Sequence, residues 1–270
     1  MSERHETFPN IFEALVLVVA LILIEVLVAA VLGSAHLFAD LDPQDVSLIV
    51  TVAGNGVLFI GLMAYKAIGY GALFHPTRTS ALTMLSVLAL PIALIVPGLV
   101  VMAGALNSIV IWLVPMSARE IEFLQTMMSA SVVSTLFGCV AAPVLEEMLF
   151  RGVILRSFLR QHSRTAAILW SSAIFAIAHL NVYQAATALA IGIVCGWLYE
   201  RCRSLWPCIL LHALYNSLVT VLFNLDSSDA ASIDTAGYTA IAFGAAIAGG
   251  LWLVRLLSGP AVATSRQKAP

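Results

Sequence analysis

Apolar runs of about bilayer length recur along this 270-residue chain, and no other feature so restricts its fold. A membrane-spanning helix needs about 20 predominantly apolar residues. Runs of that kind fall at 11–33, 46–66, 82–105, 124–148, 165–180, 184–199, 205–224 and 236–257. Hydrocarbon offers no partner to backbone N–H and C=O groups, so each run is expected as helix. The expected fold is therefore all-α, a polytopic transmembrane bundle of about eight spans. Composition agrees: 61% of residues are hydrophobic and only 10% charged, against about 25% charged in soluble domains. The fifth and sixth runs are short, and NVYQ between them reads as a tight helical hairpin. The fourth is expected to continue as helix towards Arg160. With no repeat or linker, residues 1–270 read as one integral membrane domain.

Loop charge provides a separate count. Lys66 and Arg78 share one loop, Arg151, Arg156, Arg160 and Arg164 follow the fourth run, and Arg201 and Arg203 follow the sixth. Arg255, Arg266 and Lys268 follow or close the eighth. The alternate loops carry Asp40, Asp42 and Asp45, then Asp226, Asp229 and Asp234, with Arg119 beside Glu120 and Glu122. By the positive-inside rule both termini are expected in the cytoplasm. SERHETFPN lacks a basic n-region, so the first run is expected as a retained span in a plasma (inner) membrane. The net charge of -2 and the absence of a long basic run give no reason to expect a nucleic-acid partner. Cys139, Cys195, Cys202 and Cys208 lack ligand spacing and read as reduced packing residues.

Ionisable residues within such runs mark functional sites by default. EEMLFR supplies Glu146, Glu147 and Arg151, and the i,i+4 step lets Glu147 pair with Arg151. Glu146 points about 100° away and is free to act. FAIAH puts Phe175 and His179 on one helical face, and HALYN does the same for His212 and Asn216. Each motif alone has a structural reading: an ion pair fixing helix packing, or polar groups joining helices by hydrogen bonds. Together they have the parts of a hydrolytic centre. A carboxylate and an imidazole can deprotonate an attacking water, and an imidazole and an amide can donate to an oxyanion. GxSxG, HExxH and glycine-rich phosphate loops are all missing. A zinc ion held by Glu146, His179 and His212 is the alternative, with water as fourth ligand.

Glu146-Glu147-x-x-x-Arg151, Phe175-x-x-x-His179 and His212-x-x-x-Asn216, in that order, resemble the motifs of the CPBP family. This family comprises CAAX proteases and bacteriocin-processing enzymes and is also called Abi. The resemblance covers residues 124–224, taken as the catalytic core. It implies an eight-helix intramembrane endopeptidase similar to the CAAX prenyl endopeptidase, with membrane lipids around it. Glu146 and His179 would then activate water, and His212 with Asn216 would form the oxyanion hole. Glu147, Arg151 and Phe175 would support the site. No cofactor is preferred, zinc being the alternative. The implied substrate is a membrane-anchored peptide or a prenylated protein. A non-proteolytic membrane protein, either a self-immunity factor or a transporter, is the competing reading, and Glu25 in the first run favours it.

Overall fold

The computed structural model describes residues 7–35, 43–127, 132–225 and 235–258. Ten helices account for nearly all of these residues, and no strand occurs among them. They are α1 (Ile11–Ser34), α2 (Pro43–Lys66), α3 (Tyr70–Phe74), α4 (Ala81–Leu113) and α5 (Ala118–Met127). Then follow α6 (Val132–Gln161), α7 (Arg164–Ala178), α8 (Val182–Cys202), α9 (Trp206–Phe223) and α10 (Thr235–Leu257). Among the described residues, seven helices are long and apolar enough to cross a membrane. The chain is an all-α polytopic bundle.

The expected fifth span is the exception. Helix α7 has 15 residues, about 22 Å at 1.5 Å per residue, against a hydrocarbon core of about 30 Å. Counting it as a short pass retains the even number that the loop charges require. A helix of that length starting at one bilayer surface would end within the hydrocarbon, with His179 directly after it. The sixth run is longer than its hydropathy suggests: α8 has 21 residues and continues past Tyr199 through Glu200 to Cys202. Helix α4 likewise passes Asn107 and Ser108 to reach Leu113. Polar residues end an apolar window without ending a helix.

Local signals fix several helix ends. Asn10 and Glu13 form a reciprocal capping box at α1, with bonds of 2.8 and 2.9 Å. Helix α5 is an unexpected separate helix with its own box: Ser117 N–H and Oγ both donate to Glu120 at 2.7 Å. The Ser117 hydroxyl and then its backbone N–H hold the Glu120 carboxyl below the usual carboxylate range. The expected α7–α8 hairpin is present. Leu180 takes φ 52, and Asn181 Oδ1 accepts from Tyr183 and Gln184 N–H at 2.9 and 3.3 Å.

The described basic loops meet at one end of the bundle. Lys66 Nζ donates to the Phe8 carbonyl at 2.6 Å, and Arg156 donates to that of Ala72 at 2.8 Å. Gln161 Nε2 reaches the Thr7 and Pro9 carbonyls at 2.7 and 2.9 Å. Of the charges used to orient the chain, Asp40, Asp42, Asp226, Asp229, Asp234, Arg266 and Lys268 lie outside the described residues, as do 128–131 of the expected fourth span.

Helix α10 is docked on α4 by small residues. A Cβ on Gly249 would stand 2.7 Å from the Pro91 carbonyl oxygen and 2.8 Å from Leu94 Cβ, whereas one on Gly250 meets nothing within 4 Å. Close backbone approach of this kind is how membrane helices gain packing energy without a hydrophobic drive. Gly249→Leu is expected to cost about 1–3 kcal/mol through overpacking, seen as a lower melting temperature in detergent. Gly250→Leu is expected to melt like the parent.

Candidate active site

Three of the ten helices bring the polar motif residues together. Glu146 and Glu147 lie on α6, His179 directly follows α7, and His212 and Asn216 lie on α9. Helix α6 is not a regular α-helix. Phe137–Ala141 and Met148–Leu155 are π-helical, and the two glutamates sit in the α-helical segment between them. Such wide turns recur at functional sites because they redirect side chains.

Glu147 is the hub. Its Oε1 accepts from Arg151 at 2.8 Å and from His212 Nδ1 at 2.9 Å. Glu147 and Arg151 are 0% and 1% exposed, so neither charge can rely on water. Arg151 has a second anchor, donating to the Gly192 carbonyl of α8 at 3.1 Å, and its guanidinium lies 4.7 Å from the Phe175 ring centroid. Gly192 also lets α8 lie close to α7: a Cβ there would meet Ser172 Cβ at 2.9 Å and Ser172 Cα at 3.1 Å.

Because His212 Nδ1–H donates to Glu147, the ring turns its Nε2 towards Glu146, 3.7 Å from Oε2. That Oε2 is buried without a hydrogen-bond partner, although the Glu146 side chain is 32% exposed overall. His179 is fixed in the same sense, since its Nδ1 bonds the Phe175 carbonyl at 2.9 Å and leaves Nε2 as acceptor. The Phe175 ring touches both imidazoles, with centroids 4.8 Å from His179 and 6.0 Å from His212. Phe175 is thus the wall between the two histidines.

Asn216 is engaged differently. Its Nδ2 donates to the Gly138 carbonyl at 2.7 Å. Ala142 N–H bonds Phe137 in the π register, so the next donor in that register, for Gly138, would be Pro143. Proline has no N–H, and Asn216 satisfies the orphaned carbonyl. This bond occupies one amide N–H and leaves the second for other use.

Rise counted from the basic loops would put His212 shallower than His179, on the assumption that the α8–α9 turn lies at the bilayer surface. The turn is covered instead. Ser204 and Leu205 are fully buried, and Leu205 N–H donates to the Phe74 carbonyl of α3 at 2.9 Å. Helix α9 accordingly starts inside the bundle. The Gly192 carbonyl and the Gly138–Pro143 pair are site features that the motifs do not reveal, although a proline five residues after a glycine was a readable cue. Glu25 has its own partner, Asn55 Nδ2 at 3.3 Å on α2, and so reads as a packing position. All four cysteines are buried and reduced.

The residues that a zinc ion would need are Glu146, His179 and His212. Among the described residues no group of three or more His, Cys, Asp or Glu is gathered as a metal would need. Glu147 is committed to Arg151 and His212 instead.

Comparison with known proteins supports the resemblance read from the motifs. Residues 128–218 match the family described as type II CAAX prenyl endopeptidase Rce1-like, a stretch enclosing every motif position. The protein named "Putative membrane peptidase YdiL", from Bacillus subtilis (strain 168), is 28% identical over 102 residues. The aligned stretch covers 38% of this chain and 40% of that relative, so the chain spans about two fifths of its length. No solved structure matches.

Arg151→Leu should strand the buried Glu147 carboxylate and cost about 3–5 kcal/mol, measured as thermal or denaturant stability in detergent. Glu146→Gln, at a partly exposed position, should leave stability within about 0.5 kcal/mol.

Proposed function

We propose that this chain is an intramembrane endopeptidase that hydrolyses a peptide bond in a membrane-anchored or prenylated substrate. One observation carries the proposal: the unpartnered Glu146 Oε2 stands 3.7 Å from an imidazole whose far nitrogen is locked onto a buried carboxylate. A carboxylate with a spare lone pair beside an oriented histidine is the arrangement that water activation needs.

In the proposed reaction Glu146 takes a proton from water as the oxygen attacks the scissile carbonyl carbon. His179, with Nδ1–H held by Phe175, offers Nε2 as a second acceptor to orient that water. The carbonyl π electrons move onto oxygen, and His212 and Asn216 stabilise the charge. Because His212 Nδ1–H is given to Glu147, Nε2 can donate to an oxyanion only in the imidazolium form. In that form two carboxylates, one guanidinium and one imidazolium sum to zero charge. Collapse of the intermediate breaks the C–N bond, and the proton held by Glu146 passes to the leaving nitrogen. Asn216 would contribute the N–H that Gly138 does not use. No step is routed through a metal.

The proposed setting is a plasma membrane with the basic end, and both termini, facing the cytoplasm, where a lipid-anchored substrate would present its scissile bond. Residues 124–224 would be the catalytic core. Cleavage of a fluorogenic prenylated peptide by purified protein tests this. Glu146→Ala and His212→Ala are expected to abolish turnover, and Asn216→Ala to lower it by about 10²–10³. Full activity in Glu146→Ala sinks the assignment of the base. Activity that disappears with a strong chelator and returns with zinc would instead support the metal alternative.

A further inference from the structure

We propose that the groove between α7, α8 and α10 binds one anionic glycerophospholipid, with a chain in the groove and its phosphate at the basic rim. The groove has a volume of about 470 Å³ and is lined by Ile168, Leu169, Ile193, Val194, Trp197 and Val254, with Thr165 and Gly250 completing it. That volume lies within the roughly 300–1,000 Å³ of small-ligand sites. Packing explains why it exists. Gly249 binds α10 tightly to α4 on one side. On the other, Gly250 lines the groove with open space around its Cα.

The charge at the rim selects the occupant. Arg164 adjoins Thr165, Arg255 adjoins Val254, and Arg201 is one turn beyond Trp197. Glu200 opposes them, bonded to Arg164 at 3.2 Å and Arg201 at 3.3 Å. Two guanidiniums thus face one carboxylate, and Arg255 adds a third positive charge next along α10 from Val254. Glu200 is nearly buried, whereas the Arg164 and Arg201 side chains are 71% and 40% exposed. Guanidiniums so placed retain N–H donors in the fork that suits a phosphate. Trp197 sits where an indole is favoured, at the boundary between acyl chains and headgroups. A zwitterionic lipid brings the same chains but no net charge to the rim. A bare phosphate brings the charge but nothing for the apolar wall.

The test uses the full-length protein, purified and delipidated in detergent, with melting temperature and native mass spectrometry as readouts independent of proteolysis. Phosphatidylglycerol, phosphatidylcholine with the same chains, glycerol phosphate and a farnesylated peptide are titrated separately. Phosphatidylglycerol alone is expected to raise the melting temperature saturably and to remain as one bound adduct. Gly250→Leu is expected to retain the parent's lipid-free melting temperature and lose that shift. The double variant Arg164→Gln, Arg255→Gln, which leaves Arg201 on Glu200, should bind about thirtyfold more weakly at the usual worth of two basic residues facing an anionic headgroup. Equal shifts from phosphatidylcholine, a shift from glycerol phosphate alone, preferential binding of the farnesylated peptide to this groove, or a full shift in Gly250→Leu would each overturn the proposal.

Discussion

A single buried carboxylate, Glu147, accepts hydrogen bonds from its own helix and from α9, and the bundle is arranged to make that tolerable. A charge with no access to water costs several kcal/mol unless it is neutralised and its lone pairs are used. Arg151 supplies the opposite charge from the same helix and His212 supplies a donor from α9. Arg151 in turn needs acceptors, and obtains one from the Gly192 carbonyl of α8, a helix that the same glycine lets lie close to α7. Phe175 covers the guanidinium and spaces both imidazoles. Helices α6, α7, α8 and α9 are therefore coupled by one set of charge-assisted bonds.

The irregularity of α6 serves the same end. Segments of i→i+5 bonding on both sides of the glutamates alter the angular step and free carbonyls that a regular helix would consume. Asn216 answers one at Gly138, and Ser171 adds a donor from α7 to the Phe150 carbonyl at 3.0 Å. Polar side chains that resemble simple interhelical adhesive thus preserve a helix geometry on which Glu146 depends for its aim.

Much of the fold was legible because apolar length and loop charge are direct consequences of the bilayer. The Glu147–Arg151 pair was legible from its spacing, since four residues on one helix leave little room for another outcome. Other features were not. Hydropathy cannot see that α8 continues through Glu200, because Arg164 and Arg201 neutralise that residue from outside the window. Depth counting does not foresee the meeting of His212 with the glutamates, because burial of Ser204 and Leu205 under α3 is a tertiary fact. The link from Asn216 to Gly138 needs both a proline and a π register, and only the proline is written in the sequence.

The brevity of α7 has a consequence for the membrane itself. A 15-residue pass leaves a hydrophobic mismatch of about 8 Å against an average bilayer. Lipid beside it must thin, or headgroups and solvent must dip to meet the end of the helix. Either response brings the polar boundary down towards His179 from the face opposite the basic loops. A bilayer that yields in this way keeps the end of α7 within reach of water.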